Sequence, residues 1–293
     1  MTDLRPMSFG EVLDSAFTMY VRNFGLFLKV SIVVSAVPAA LWLYLQFRFS
    51  GVTPDQSMAV LQTHLGELIV LGIGWAILYV CAKVVLTAGA IHVISVSYLG
   101  REATLGDALR LGGSKLGPLV LVGLGKGLLA FIIYVVGIVL WALLVGVAAL
   151  GGPLSALVVG LGAGAALVWF LAFVLSGYAV TTPVVVLEEL PSSFDAFGRS
   201  WDLTRTFKLK VFGLWIVAWL LTWLIPGAFF AGLGYYVGQH APWLQLPLTI
   251  VSSVVSIALA GALPCVYTMM YYDLRMRREG FDLQLLGQQL GIA

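Results

Sequence analysis

Long apolar runs alternate along this chain with short segments in which polar and apolar residues interleave. Hydropathy marks six runs, at about 24–47, 67–99, 116–147, 154–187, 209–238 and 245–272. Each is long enough to cross a bilayer as a helix, which takes ~20 residues. The second, third and fourth stretches exceed about 30 residues and would run past ~45 Å at ~1.5 Å per residue. They must tilt or project beyond the hydrocarbon, and their excess lies next to basic residues, which favours projection on that side.

The interleaved segments share a pattern. Residues 191–205 read PSSFDAFGRSWDLTR, and Phe194, Phe197, Trp201 and the methyl group of Thr204 fall on one helical face. Pro191 and Ser192 form a start signal, with Asp195 at the third helical position. The stretch MSFGEVLDSAFTMYVRNFG repeats this, with Ser8 as cap, Glu11 three residues on, and a stripe of Phe9, Val12, Leu13, Ala16, Phe17 and Tyr20. A third copy, ATLGDALRLGGSKLG, has Thr104, Asp107 and the stripe Leu105, Ala108, Leu109 and Gly112. The acids Glu11, Asp107 and Asp195 are spaced 96 and 88 residues apart, and each copy precedes a pair of spans. The expected fold is an all-α membrane protein, a single integral membrane domain over 1–293. Its six transmembrane helices form three repeats, 1–100, 101–190 and 191–293, each a cytoplasmic-side amphipathic helix plus two spans. A short helix with aromatics on one face and basic residues at its end suits the headgroup layer, through Phe9, Phe17, Phe194, Phe197 and Trp201. It suits equally a perch on the projecting ends of neighbouring spans.

Composition agrees. The 293 residues are 60% hydrophobic and 10% charged, with mean hydropathy +1.01, against ~25% charged residues in soluble domains. The N-terminal stretch MTDLRPMSFGEVLDS carries acids and lacks an apolar core, so no cleavable signal peptide is expected. A net charge of +2 gives no reason to expect nucleic acid as a partner. Membrane lipids, anionic ones included, and a membrane or cytoplasmic protein are the partners to expect. Charge does orient the spans. Arg5, Arg22, Lys29, Arg101, Arg110, Lys115, Arg199, Arg205, Lys208, Lys210, Arg275, Arg277 and Arg278 share one face of this topology. The opposite loops, 48–66, 148–153 and 239–244, hold only Arg48. That asymmetry puts both termini in the cytoplasm.

Few residues suggest chemistry. Lys83 and Lys126 lie within apolar runs, where a cation is costly and marks a functional candidate. Near an inner leaflet they would bind phosphate from a lipid or an anionic solute, or simply snorkel to the interface. Arg275, Arg277 and Arg278 follow Tyr271 and Tyr272, an inner-interface anchor that suits anionic lipid or serves only to orient the chain. His92, near a span end, reads better as a packing residue than as a proton relay. His64 and His240 lack ligand spacing, Cys81 and Cys265 lie inside apolar runs, and no metal or other cofactor is implied. The GLGKG at 123–127 follows no strand and is no phosphate loop. Gly123 with Gly127, Gly160 with Gly164, and Gly234 with Gly238 suit close helix packing. Pro38, Pro183, Pro226 and Pro264 are expected to kink their helices, and Trp215, Trp219 and Trp223 form a lipid-facing or packing stripe. No catalytic constellation stands out.

Three stretches, LRPMSFGEVLDSAFTMYVRNFG, PVVVLEELPSSFDAFGRSWDLTRTFKLKVFG and YYDLRMRREGFDLQLLGQQL, together resemble the bacterial membrane family called the glycerophosphoryl diester phosphodiesterase membrane domain. They are also similar to the related YciC-like membrane proteins. The most specific piece is YYDLRMRREGFDL, from Tyr271 to Leu283. Members bearing that name carry a fused soluble, metal-dependent phosphodiesterase domain, which these stretches do not include, so the resemblance does not bring that activity. It implies a six-span bacterial inner-membrane protein working near phospholipid or envelope metabolism. The reading favoured at this level is a non-enzymatic accessory or scaffold that organises a partner or anionic lipid at the inner leaflet. A transporter or channel for a small or lipid-like anionic solute, passing Lys83 and Lys126, is the alternative, and a lipid-headgroup enzyme the third.

Overall fold

The computed structural model describes residues 6–49 and 57–280, and within them the chain is helical, with no strand. Six stretches are long and apolar enough to cross a membrane: Phe24–Leu45, Gln62–Tyr98, Leu116–Ala149, Pro153–Leu187, Asp195–His240 and Gln245–Glu279. Large apolar side chains face outward along them, among them Ile73, Phe131, Leu161 and Phe229. Apolar surface on that scale needs lipid around it, and helices satisfy their own backbone there. The protein is an all-α, multi-pass membrane protein. Arg5, residues 50–56 of the expected polar loop, and Phe281 onward in the C-terminal stretch lie outside the described residues.

Several spans are interrupted, and their prolines show why. α2 (Phe24–Phe49) is one continuous helix that contains Pro38. α3 (Ser57–Tyr98) starts earlier than hydropathy suggests and bends at His64, whose φ of −112° and ψ of 15° leave the helical region. The fourth span is α6 (Pro153–Ser176) followed, after a break, by α7 (Thr181–Leu187). The sixth is α11 (Gln245–Leu259) followed by α12 (Ala262–Glu279). Pro183 and Pro264 sit in the first turn of α7 and α12, where a missing N–H costs no helical bond. They mark restarts rather than kinks. The fifth span joins α9 (Lys208–Trp219) and α10 (Ile225–His240) through a π-turn at Leu220–Leu224. Pro226 has no N–H for the Thr222 carbonyl, and the Ile225 N–H reaches back five residues to Leu220.

The packing divides into two compact units, one of residues 1–16, 121–225 and 266–293, the other of residues 17–120 and 226–265. In the first, α5 (Leu116–Ala149) packs against α6: a Cβ on Gly160 would touch Val145, one on Gly164 would touch Trp141, and the Trp141 indole N–H donates to the Gly160 carbonyl at 2.8 Å. In the second, α3 is largely buried toward its end, with Ala88, Ala90, Ile91, Val93 and Ile94 inaccessible. Gly234 and Gly238 approach Leu248 and Gln245. Two of the three expected small-residue pairs therefore do make close contacts, whereas Gly123 and Gly127 meet nothing.

Three short amphipathic helices accompany the spans: α1 (Phe9–Arg22), α4 (Leu105–Ser114) and α8 (Asp195–Thr204). The first two open on capping boxes. The Ser8 N–H donates to Glu11 at 2.6 Å, and the Asp107 N–H donates to the Thr104 hydroxyl at 3.2 Å. In α8 the Ser192 N–H donates to Asp195 at 3.1 Å, but the helix begins at Asp195 itself. The expected third-position acid is the first helical residue there, because residues 192–194 close a turn ahead of the helix.

Candidate functional site

α12 presents two stripes along one turn spacing: Tyr271, Arg275 and Glu279, and beside them Asp273 and Arg277. At spacing i, i+4 such side chains are neighbours. The first stripe closes a ring with partners from elsewhere in the first unit. The Arg199 guanidinium of α8 donates to both oxygens of Glu188, at 2.9 and 3.2 Å, and pairs with Glu279. Arg275 donates to Glu279 at 3.0 Å and to the Tyr271 hydroxyl at 3.2 Å, and that hydroxyl donates to Glu188 at 2.8 Å. Two arginines, two glutamates and a neutral tyrosine thus balance their charge within the protein.

The second stripe builds a clasp. Asp273 is inaccessible, and it accepts from the Met7 N–H at 2.7 Å, from Lys210 of α9 and from Arg277 at 3.1 Å. Lys210 and Arg277 also donate to the Met7 carbonyl. A buried carboxylate and two cations grip both sides of one residue just ahead of α1. Arg277 is a local i, i+4 partner of Asp273, whereas Lys210 and Met7 lie 63 and 266 residues away.

The other candidates fall as follows. Arg277 also lies 5.3 Å from the Phe207 ring, and Arg278, exposed, donates to the Thr206 hydroxyl at 2.7 Å. Lys126 is half-buried and donates to Thr182 at 3.5 Å. Lys83, in the other unit, lies 5.4 Å from the Tyr79 ring. Arg275, Arg277, Arg278, Lys83 and Lys126 thus each have a partner within the protein. Phe17 is 66% exposed, while Val12, Ala16 and Met19 form the buried edge of α1. Phe9 leans on Gly213 of α9.

α8 turns small residues inward and leaves most of its aromatic stripe at the rim. Its buried residues are Ala196, Ser200, Leu203 and Thr204, with Phe194 and Trp201 exposed and Phe197 half-buried. The cause is Gly177, where α6 ends. Ser200 Oγ and Thr204 Oγ1 lie 3.0 and 2.9 Å from its carbonyl oxygen and cap it. The helix can come this close because its inward positions are small. The aromatics pack at the rim on glycines of the spans: a Cβ on Gly125 would lie 3.0 Å from Phe197, and one on Gly177 2.9 Å from Trp201. Thr204, read from sequence as an apolar stripe member, is a buried hydrogen-bonding residue. Its signal was the Ser–Thr pair at i, i+4.

Beside this rim lies Lys208, which sequence reading counted only toward orientation. Its ammonium is 4.1 Å from the Trp201 ring and 4.5 Å from the Phe173 ring. Arg205, one turn away, is largely exposed and only 3.9 Å from Asp202. Among the described residues no group of three His, Cys, Asp or Glu side chains is placed to hold a metal ion. No family model, curated protein or solved structure matches the chain.

Proposed function

We propose that this chain is a non-enzymatic accessory or scaffold protein of a bacterial inner membrane, with both termini cytoplasmic, that organises anionic lipid or a partner protein at the inner leaflet. Lys208 carries the reading. Its ammonium sits on the aromatic rim of α8 beside exposed Trp201 and Phe194, and among the described residues no carboxylate pairs with it. A cation at the level of interfacial aromatics is where an anionic headgroup meets a membrane protein. The ring and clasp support the scaffold part, since they tie α8 and the start of α1 to the span ends and spend their charges internally. The three short amphipathic helices support the threefold plan, and the one-sided distribution of cations supports the orientation. Resemblance to the phosphodiesterase-associated membrane family supports a place near phospholipid or envelope metabolism.

The test is lipid retention. Protein extracted from vesicles of phosphatidylglycerol and phosphatidylcholine is expected to carry phosphatidylglycerol preferentially in native mass spectrometry. K208Q combined with R205Q should lower that retention by about tenfold. Equal retention of both lipids by the wild type, or unchanged retention in a folded double variant, would overturn the reading.

A further inference from the structure

The second unit holds an open cavity of about 410 Å³ beside α4. It forms because α4 lies directly on the buried end of α3. A Cβ on Gly112 would sit 2.6 Å from the Val85 carbonyl oxygen, and one on Gly89 3.0 Å from that of Ala108. Between the two helices the chain turns through Gly100, whose φ of +76° suits glycine. The turn and α4 then bring His92, Arg101, Glu102, Asp107, Arg110 and Ser114 around one space, with Val96 and Leu111 as apolar wall.

Charge is handled here unlike anywhere in the ring or clasp. There, each arginine is bonded to a carboxylate or a hydroxyl. Here two exposed arginines and two exposed acids line one open cavity, and among the described residues neither arginine pairs with either acid. Asp107 is held instead by the Thr104 hydroxyl at 2.6 Å, which fixes its carboxylate at the first turn of α4. A ligand of one sign would leave the opposite pair uncompensated. A ligand carrying both signs satisfies both.

We propose that this cavity binds a zwitterionic phosphoethanolamine headgroup. Its phosphate lies between Arg101 and Arg110, with His92 as a further hydrogen-bond partner, and its ammonium faces Glu102 and Asp107. Paired arginines recognise phosphate oxygens in bidentate fashion, and the volume lies within the ~300–1,000 Å³ of small-ligand sites. The cavity opens at the end of the span Gln62–Tyr98, which is the depth of a headgroup. The residues are distinct from Lys208 and Arg205, so the site stands whether or not those two hold anionic lipid.

The experiment titrates purified wild-type protein with dioleoyl-phosphatidylethanolamine and dioleoyl-phosphatidylglycerol, read by native mass spectrometry. R101Q/R110Q is expected to weaken phosphatidylethanolamine binding at least about tenfold, while R22Q, at an exposed arginine of the same unit, leaves it unchanged. E102Q, in the exposed turn, is expected to lower the preference for phosphatidylethanolamine over phosphatidylglycerol by about fivefold. K208Q/R205Q should keep full phosphatidylethanolamine binding. Displacement by O-phosphoethanolamine assigns the site to the free headgroup, and retention against it assigns the site to the lipid. Wild-type phosphatidylethanolamine affinity in folded R101Q/R110Q overturns the proposal. Should that variant not fold, an unchanged lipid preference in E102Q overturns it equally.

Discussion

Asp273 ties three separate parts of the first unit together. It is an inaccessible carboxylate between Lys210 and Arg277, and it also accepts the Met7 N–H. A buried ion pair of this kind is costly to break, because the surviving cations keep their desolvation without their counter-charge. D273N is therefore expected to destabilise the protein by ~3–5 kcal/mol, measured as a lowered unfolding midpoint in detergent. K210M/D273N should cost less than the sum of the single variants, since one stranded cation is removed with the acid. Additivity would show that the clasp does not act as a unit. The i, i+4 spacing of Asp273 and Arg277 was legible in the sequence. Lys210 and the Met7 peptide were not, since nothing local announces a contact between the two ends of the chain.

At the scale of the element, α8 shows that small polar residues, and not the aromatic stripe, set which face docks on the protein. The aromatic positions dominated the periodicity, yet the inward face consists of Ala196, Ser200, Leu203 and Thr204. What decides the rotation is the orphan carbonyl left where α6 stops at Ser176, together with the close approach that small residues permit. S200A/T204V removes both hydroxyls and leaves that buried acceptor unsatisfied, with an expected cost of ~1–3 kcal/mol. Hydrogen exchange checks the location: protection should fall in α8 and around residues 177–180 before it falls elsewhere. Uniform loss of protection would count against the docking role. The capping acids of α1 and α4 were readable beforehand because a capping box is closed within four residues. Pro38, by contrast, leaves α2 unbroken, whereas Pro226 coincides with a π-turn.

For the molecule as a whole, the outward apolar side chains of the six spans require a bilayer, and the cations decide which way it is crossed. The proposed topology places α4 and α8 on the same, cytoplasmic side. Gly106 and Gly198 test this directly, because a side chain at either position meets no close neighbour. Single cysteines there, in a variant with Cys81 and Cys265 replaced by alanine, are expected to react with a membrane-impermeant maleimide in inverted membrane vesicles. They should remain protected in intact cells with a permeabilised outer membrane. Labelling of G106C and G198C from opposite sides would dismantle the orientation and the threefold plan with it.

The sequence by itself determined the membrane class, the number of spans and the positions of the three short helices, because hydropathy, helical period and end-capping are properties of neighbours in the chain. Tertiary structure alone decided that Arg199 and Lys210 are spent on carboxylates of α12, which face α8 turns inward, and that oppositely charged side chains with no ion pair among the described residues stand around a cavity beside α4. Those outcomes depend on groups brought together across tens to hundreds of residues, where electrostatics and close backbone approach outweigh any local pattern.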